Sequence, residues 1–245
     1  MQQLYNNILD DSIKKVKKLA VLIDPDQINQ DDLRLTIEKS VSESIDYFFV
    51  GGSLLFQDCL DEALELINEL SDIPTIIFPG NDLQISDKAD AILYLSLISG
   101  RNPEFLIGKQ VISAPLLSQA NIEVIGTGYI LVNGGQPTAA SYMSSTQPIP
   151  YDQINIAVST ALAGQFLGHK IIFMDGGSGA EKPISSTMIS AVKKHLNIPL
   201  IIGGGIISVE QVKSAYDAGA DIVVIGNAIE KDVNFISEIA AQRYL

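Results

Sequence analysis

Eight short apolar segments recur along the whole 245-residue chain, and stretches with helical spacing separate them. The segments are continuously apolar rather than alternating with polar residues, which is typical of parallel strands covered on both faces. They predict strands at residues 19–23, 46–50, 75–78, 91–95, within 122–132, and at 170–174, 199–202 and 222–225. The eightfold alternation of strand and helix favours an α/β fold, a closed (β/α)8 TIM barrel, with an open doubly wound sheet as the alternative.

Helix signals lie in the intervals between the predicted strands. Asn29 can cap a helix, Ser208 and Gln211 fit a capping box, and Gly219 is placed to end the helix that Ser208 begins. No interval is rich enough in Pro, Gly or Ser to act as a linker, so residues 1–245 are predicted to form a single domain. Helical spacing predicts the faces turned to the core: Leu33, Ile37 and Val41, then Leu60, Leu64 and Ile67, and later Met188, Ile189 and Val192.

One interval breaks this alternation. Only residues 79–90 separate the third and fourth predicted strands, too few for a crossover helix and its two loops. We therefore expect a shortened or missing helix between strands 3 and 4. A barrel thinned at this place would expose an apolar groove on its wall.

Charge and cysteine content restrict the function and the compartment. The chain has 16 Lys and Arg against 29 Asp and Glu, a formal net charge of −13, which argues against a nucleic-acid partner. A hydrophobic share of 47% is enough for a large core. A single cysteine cannot form an internal disulfide, and we expect neither a secretory signal nor a membrane span, so we predict a cytoplasmic protein.

Isolated reactive side chains have structural explanations. Cys59 is expected to be a buried thiol on the second helix, beside Leu60 and Ala63. His169 and His195 are expected at helix ends, in surface or capping roles. A basic cluster is expected to flank the first strand in solvent, with peripheral contact to an anionic membrane as the alternative; it consists of Lys14, Lys15, Lys17 and Lys18.

Glycine-rich segments follow several predicted strands, at the rim where (β/α)8 barrels place their sites. A triple glycine at residues 203–205 follows strand 7, and Gly226 and Asn227 follow strand 8. Glycines let backbone N–H groups approach an anion, and the helices that follow direct their positive ends toward it. The pattern favours a phosphate site, with tight turns that bind nothing as the alternative. At a net charge of −13, such local dipoles rather than long-range attraction must hold the phosphate.

Two oxygen-bearing side chains follow the first two strands. Asp24 ends strand 1 and Ser53 follows strand 2, so a carboxylate and a hydroxyl would meet at neighbouring strand ends. Mg²⁺ takes one or two such protein oxygens together with substrate phosphate and water. Ordinary turn chemistry at Asp24 and helix capping by Ser53 explain the same residues without a metal.

Six rim segments together resemble the geranylgeranylglyceryl phosphate synthase family, which includes the heptaprenyl enzymes. They are residues 22–26 (LIDPD), 50–53 (VGGS), 99–108 (SGRNPEFLIG), 173–180 (FMDGGSGA), 203–206 (GGGI) and 226–228 (GNA). The segments keep the family's order over nearly the whole chain, and the first of them is not a general feature of barrels.

The resemblance implies a Mg²⁺-dependent prenyltransferase. Such enzymes join a long-chain prenyl diphosphate, here geranylgeranyl diphosphate by preference, to the 3-hydroxyl of sn-glycerol 1-phosphate, which gives an ether lipid precursor and diphosphate. The resemblance also implies a homo-oligomer. Two alternatives stay open at this point: a barrel oxidoreductase that binds FMN through the same loops, and a phosphate-binding relative without activity.

Carried over residue by residue, the resemblance assigns Asp24 and Ser53 to the metal. The proposed reaction needs only a modest base, and Asp175 stands at the right strand end to take the hydroxyl proton. The family usually has Tyr and Glu where this chain has Phe173 and Asp175, so a phenol is lost and the carboxylate lies about one C–C bond further back. Arg101 is a further candidate for binding the phosphate and diphosphate anions, and the groove-closing candidates are Tyr94, Phe105 and Tyr142. The residues expected around glycerol phosphate are Phe173, Met174, Asp175, Gly176, Gly177, Ser178, Gly179, Gly204, Gly205, Gly226 and Asn227.

Overall fold

Eight parallel strands close into a barrel in sequence order, and β8 pairs with β1. The structure is a computed structural model that describes residues 3–52 and 59–244. The predicted (β/α)8 fold is confirmed, and every strand lies within two residues of its predicted bounds. The strands are β1 (Lys18–Ile23), β2 (Tyr47–Val50), β3 (Thr75–Ile77), β4 (Ala91–Leu97), β5 (Glu123–Leu131), β6 (Ile171–Asp175), β7 (Leu200–Gly203) and β8 (Ile222–Ile225).

Helices surround this barrel and cover its outer face. Within the described ranges, no helix is both long and apolar enough to cross a membrane. The helices are α1 (Gln3–Ile13), α2 (Gln30–Ser42), α3 (Leu60–Leu70), α4 (Lys109–Leu117), α5 (Ala139–Met143), α6 (Ile154–Phe166), α7 (Ser186–Lys193), α8 (Val209–Asp217), α9 (Asn227–Lys231) and α10 (Phe235–Ala240), with a π-helical turn (Glu104–Gly108) before α4 and a 3₁₀ turn (Ala241–Tyr244) after α10.

Most of the predicted helix caps are confirmed. Asn29 Oδ1 accepts a hydrogen bond from the Asp32 amide at 2.9 Å, and Ser208 Oγ accepts one from the Gln211 amide at 3.3 Å. The second cap is not the reciprocal box that we expected, because Gln211 Oε1 accepts from Ile207 N, one residue before the cap. The sequence therefore predicts where these helices begin better than it predicts every bond of the cap.

The predicted helix faces are buried with one exception. Leu33 and Ile37 face the core, but Val41 is 44% exposed. The buried face of α2 continues instead at Ser40, three residues after Ile37, so Val41, four residues after Ile37, lies beyond its edge. The faces predicted for α3 and α7 are confirmed at all their positions: Leu60, Leu64, Ile67, Met188, Ile189 and Val192.

The interval between β3 and β4 contains turns and no helix, as the residue count predicts. Gln84 fixes this segment, because its Oε1 accepts from Gly80 N at 3.0 Å and its Nε2 donates to Gly52 O at 3.2 Å. The Asp82 carboxylate forms a salt bridge with Lys109 Nζ of α4 at 2.9 Å. The barrel wall is therefore covered here by a short strap instead of a helix.

Two apolar cores lie on the two faces of the barrel wall. Inward-pointing residues such as Phe49 and Phe173 fill the barrel, and outward-pointing residues pack against the helices. At the bottom, where the strands begin, Glu123 accepts hydrogen bonds from the α1 amides of Leu4 and Tyr5 at 2.8 and 2.9 Å. Helix α1 thus closes the bottom, and the loops after the strands form the rim at the opposite end.

Carboxylates join the beginnings of neighbouring strands at this bottom end. Asp221 is 4% exposed, and it also pairs with Lys193 Nζ at 2.5 Å. A buried carboxylate such as Asp221 is stable only when donors surround it, whereas Asp46 is partly buried and Asp90 is exposed. Three hydrogen bonds from a backbone amide to a carboxylate join the strands: Leu19 N to Asp46 Oδ2 at 2.9 Å, Thr75 N to Asp90 Oδ2 at 2.7 Å and Leu200 N to Asp221 Oδ2 at 2.7 Å.

We expect Asp221→Asn to lower the free energy of unfolding by about 2–3 kcal/mol, because the partly buried Lys193 ammonium loses its counter-charge. Urea denaturation measures this change. Asp217→Asn is the matched control, since that carboxylate pairs with Lys213 at 3.3 Å while 64% exposed, and its loss should cost less than about 0.5 kcal/mol. Equal losses in the two variants would contradict this account of the bottom end.

Candidate active site

Asp175 ends β6 at the rim, and its backbone pairs in register with Gly203, the last residue of β7. The three motif residues of β6 have different surroundings. Phe173 points into the barrel and is almost fully buried, whereas Met174 packs in the outer core between strands and helices. The structure therefore places only the backbone of Met174 near the rim, while Asp175 directs its carboxylate into the top of the barrel.

The loop after β6 and the turn after β7 lie against each other. A Cβ at Gly204 would lie 2.6 Å from the amide nitrogens of both Gly176 and Gly177, and Gly204 has a φ of +79°. Glycine is required for both reasons. Ser178 Oγ donates to Asn227 Oδ1 at 3.2 Å, which joins the loop after β6 to the first residue of α9. Three glycine-rich segments predicted from the sequence thus converge on one part of the rim.

The Asp175 carboxylate is only 8% exposed, and two hydrogen bonds hold it. Tyr129 Oη donates to Oδ2 at 2.5 Å, and the Gly177 amide donates to Oδ1 at 2.7 Å. Burial raises the pKa of Asp175, and these two hydrogen bonds act in the opposite direction. Burial, and then the negative charge of Asp175, also raise the pKa of Tyr129. The phenol therefore stays protonated and acts as a hydrogen-bond donor.

Sequence reasoning missed Tyr129. The residue lies in the fifth predicted strand and points into the barrel near the rim end of β5. A signal was present, because a phenol at an inward position of an otherwise apolar strand needs a hydrogen-bond partner. Nothing in the sequence identified that partner as Asp175, which lies 46 residues further along the chain.

Aromatic rings form the floor beneath this carboxylate. Phe78 stacks on Phe173 at 4.9 Å between ring centroids, and both rings meet Tyr129 edge-on, at 5.8 and 5.5 Å. Phe105 and Leu95 pack against the same inner core from the side of β4. The apolar floor therefore extends from Asp175 toward the part of the wall that the strap between β3 and β4 covers.

The other two groove-closing candidates lie outside the barrel. The Tyr94 side chain packs in the outer core, and its hydroxyl donates to the carbonyl oxygen of Gln110 in α4. Tyr142 lies on α5 and is 81% exposed. Of the three aromatic candidates, the structure brings Phe105 to the floor beneath Asp175.

Asp24 directly follows β1, and it packs against the end of β2. A Cβ at Gly52 would lie 2.6 Å from either oxygen of the Asp24 carboxylate, and Oδ1 accepts from Asp26 N at 3.2 Å. Burial raises the pKa of Asp24. Burial, and then the negative charge of Asp24, raise the pKa of Glu230. Ser53, the other predicted metal ligand, lies outside the described residues.

The described residues do not form a closed set of metal ligands at this place. Among residues 3–52 and 59–244, no group of three or more His, Cys, Asp or Glu side chains is arranged to hold an ion. Mg²⁺ commonly binds one or two carboxylates and takes its other ligands from substrate phosphates and water. The exposed side and hard oxygens of Asp24 fit such a shared site and do not fit a closed protein cage.

Three further candidates occupy other positions in the fold. Arg101 is at the rim after β4, with a φ of +59°, and donates from Nη1 to Ile98 O at 2.6 Å. Cys59 occupies the N-cap position, one residue before α3 begins, and is partly exposed. The prediction of a buried thiol on the helix face is therefore wrong. His195 is exposed and its Nδ1 lies 2.8 Å from Ala191 O, as a capping role predicts.

A (β/α)8 barrel whose glycine-rich loops meet after β6, β7 and β8 is typical of phosphate-binding barrels. Comparison with known proteins agrees with the resemblance seen in the sequence. The model of the PcrB family matches residues 11–243, and the chain belongs to this family.

Relatives and solved structures support this assignment over almost the whole chain. The chain is 50% identical to geranylgeranylglyceryl phosphate synthase of Chitinophaga pinensis, across 97% of this chain and 94% of that protein. It is 46% identical to the protein of the same name from Spirosoma linguale, across 91% and 90%. The crystal structure of (S)-3-O-geranylgeranylglyceryl phosphate synthase from Thermoplasma acidophilum, in complex with sn-glycerol-1-phosphate, superimposes with a TM-score of 0.91 at 33% identity, covering 98% of this chain and 97% of that one.

We expect Gly204→Ala to weaken the binding of inorganic phosphate at least about tenfold, because the new Cβ would clash with the Asp175 carboxylate and with the amides of Gly176 and Gly177. Isothermal titration calorimetry measures the affinity. Gly168→Ala is the matched control, since Gly168 also has a positive φ, +94°, but a Cβ there meets nothing within 4 Å. If Gly204→Ala binds phosphate as well as Gly168→Ala does, the anion site lies elsewhere.

Proposed function

We propose that this protein is a Mg²⁺-dependent prenyltransferase that joins geranylgeranyl diphosphate, or another long-chain prenyl diphosphate, to the 3-hydroxyl of sn-glycerol 1-phosphate. The observation that carries the proposal is the place of Asp175. Its carboxylate lies where the glycine-rich loops meet the aromatic floor, so a phosphate-bearing alcohol and an apolar chain can both reach it. The relatives of the same family bear the name of this activity.

The glycine-rich loops would bind the phosphate of the acceptor. The amides of Gly176 and Gly177 already donate to Gly203 O and to Asp175, so phosphate contact falls to Gly204, Gly205 and their neighbours across the rim. Those neighbours are Ser178, Gly179, Gly226 and Asn227. A three-carbon alcohol held by its phosphate has one free end, and that end can turn toward Asp175. Positioning of this kind replaces a bimolecular encounter with a held pair.

Asp175 would take the proton as the ether bond forms. The 3-hydroxyl oxygen bonds to C1 of the prenyl chain, the bond from C1 to the diphosphate oxygen breaks, and its electron pair leaves with diphosphate. The hydroxyl proton passes to the Asp175 carboxylate. A modest base suffices, because the hydroxyl becomes strongly acidic as its oxygen bonds to an allylic carbon.

Asp24, with Ser53, would hold Mg²⁺ at the diphosphate. The metal, when bound, neutralises charge on the leaving diphosphate and so favours its departure. Burial is the main cause of the raised pKa of Glu230, and the negative charge of Asp24 adds to it, so these two carboxylates repel each other. A cation shared with substrate oxygens would relieve this repulsion.

The prenyl chain would lie along the apolar floor toward Phe78 and Phe105. Burying one methylene group contributes about 0.8 kcal/mol, so the space available along the wall can select chain length. The wall between β3 and β4 is the suited place, since a strap rather than a helix covers it.

A cytoplasmic, homo-oligomeric enzyme is part of the same proposal, and the exposed apolar side chains near α4 favour the oligomer: Ile107, Val111, Ile112 and Leu116.

The direct test supplies sn-glycerol 1-phosphate and prenyl diphosphates of several lengths, with and without Mg²⁺, and identifies products by mass. We expect a prenylglyceryl phosphate ether only when Mg²⁺ is present, with one chain length preferred. Binding of glycerol phosphate without any ether product would indicate the inactive relative. A yellow purified protein with a flavin spectrum would indicate the FMN-binding oxidoreductase.

We expect Asp175→Asn to lower kcat by about 100-fold or more while the affinity for sn-glycerol 1-phosphate changes little, because the amide cannot accept the hydroxyl proton at neutral pH. Steady-state kinetics and calorimetry measure the two quantities. Asp31→Asn on the exposed first turn of α2 is the matched control and should retain full turnover. Unchanged kcat in Asp175→Asn would remove Asp175 from the mechanism.

A further inference from the structure

Tyr129 and Asp175 form a buried pair across two strands of the barrel. In the register of β5 and β6, Tyr129 lies opposite Phe173, and Leu131 lies opposite Asp175. The phenol therefore reaches along the strand direction by one inward-facing position to donate to Oδ2 at 2.5 Å. Both side chains are 8% exposed, so water competes little for this bond.

The ring of Tyr129 has little freedom to leave the carboxylate. Phe78 contacts it edge-on with an interplanar angle of 68°, and Phe173 does so with an angle of 84°. Because the two phenylalanine rings also stack on each other, the three rings form one packed unit. Motion of the phenol would require this unit to repack.

A buried carboxylate keeps its charge only if donors replace the lost water. Here the donors are Tyr129 at one oxygen and the Gly177 amide at the other. Each oxygen then retains a lone pair that an alcohol can use. A protonated Asp175 has no such use as a base, so the bond from Tyr129 matters for the proposed reaction.

Among the residues that the structure describes around Asp175, no charged side chain stabilises the ionised carboxylate. Strand β7 contributes only apolar residues and glycine beside it. In the loop after β6, Glu181 accepts from Gln136 Nε2 at 2.6 Å, and Lys182 lies 4.0 Å from the centre of the Tyr151 ring. The influences on Asp175 are burial, Tyr129 and the Gly177 amide.

We infer that Tyr129 is a positioning residue that keeps Asp175 ionised and directs its free lone pairs toward the acceptor hydroxyl. The catalytic consequence rests on the proposed function, whereas the effect on the carboxylate does not. The phenol that donates to this carboxylate comes from the neighbouring strand β5.

The test compares the wild-type protein with Tyr129→Phe, which keeps the ring and its two edge contacts. At pH 7 we expect kcat to fall at least about tenfold, the typical value of a hydrogen bond to a charged group. The deficit should shrink as the pH rises, because loss of the donor raises the pKa of Asp175 and a higher pH restores its charge. A deficit of equal size at every pH would overturn the inference.

Tyr216→Phe is the matched control. Its hydroxyl donates to Lys18 O at 2.8 Å at the bottom of the barrel, so the variant also loses one buried phenol bond, far from the rim. Thermal unfolding should show similar losses of stability in the two variants. The pH dependence of kcat should stay that of the wild type in Tyr216→Phe, and a shift there equal to that of Tyr129→Phe would also overturn the inference.

A second measurement does not depend on turnover. In protein labelled with ¹³C at aspartate carboxyl carbons, the Asp175 signal is identified by its absence in Asp175→Asn, and its pH titration is followed by NMR. We expect its midpoint to lie at higher pH in Tyr129→Phe than in the wild type. An unchanged midpoint would overturn the inference, whereas absence of ether product with a shifted midpoint would refute only the proposed function.

Discussion

The hydrogen bonds to the Asp175 carboxylate are the interactions on which the account of this site depends. A charged group at the top of an aromatic core would be unstable without them, since burial favours its neutral form. One donor comes from the apolar interior, through Tyr129, and the other from the glycine-rich loop, through the Gly177 amide. The carboxylate therefore lies between the apolar barrel interior, which the prenyl chain would occupy, and the glycine-rich loops, which would bind the acceptor.

Pairing of neighbouring strands is what brings these groups together. Tyr129 and Asp175 belong to neighbouring strands, and the register between β5 and β6 sets the height of one against the other. Pairing of β6 with β7 likewise brings the turn after β7 against the loop after β6, where Gly204 leaves no room for a side chain. At the bottom, carboxylates accept hydrogen bonds from backbone amides near the beginnings of β1, β3 and β7, and so join three other pairs of neighbouring strands.

The fold could be predicted from the sequence because continuous apolar runs identify buried parallel strands, and a residue count revealed the missing helix before β4. Errors of one residue remained at Val41, beside the buried Ser40, and at Cys59, which precedes α3 instead of lying on its face. The motif grouped Phe173 with Met174, yet neighbouring residues of a strand face opposite sides, and only the structure separates them. The bond between Tyr129 and Asp175 was beyond sequence reasoning, since it depends on register between strands 46 residues apart.

In the proposed reaction, Asp175 meets the acceptor hydroxyl while the glycine-rich loops hold the phosphate of the acceptor. A crystal structure of this protein with sn-glycerol 1-phosphate tests it most directly. The account predicts the phosphate against the backbone of Gly204 and Gly205, and the 3-hydroxyl oxygen within about 2.6–3.2 Å of an Asp175 carboxylate oxygen. A bound molecule whose 3-hydroxyl points away from Asp175, or whose phosphate lies outside these loops, would contradict it.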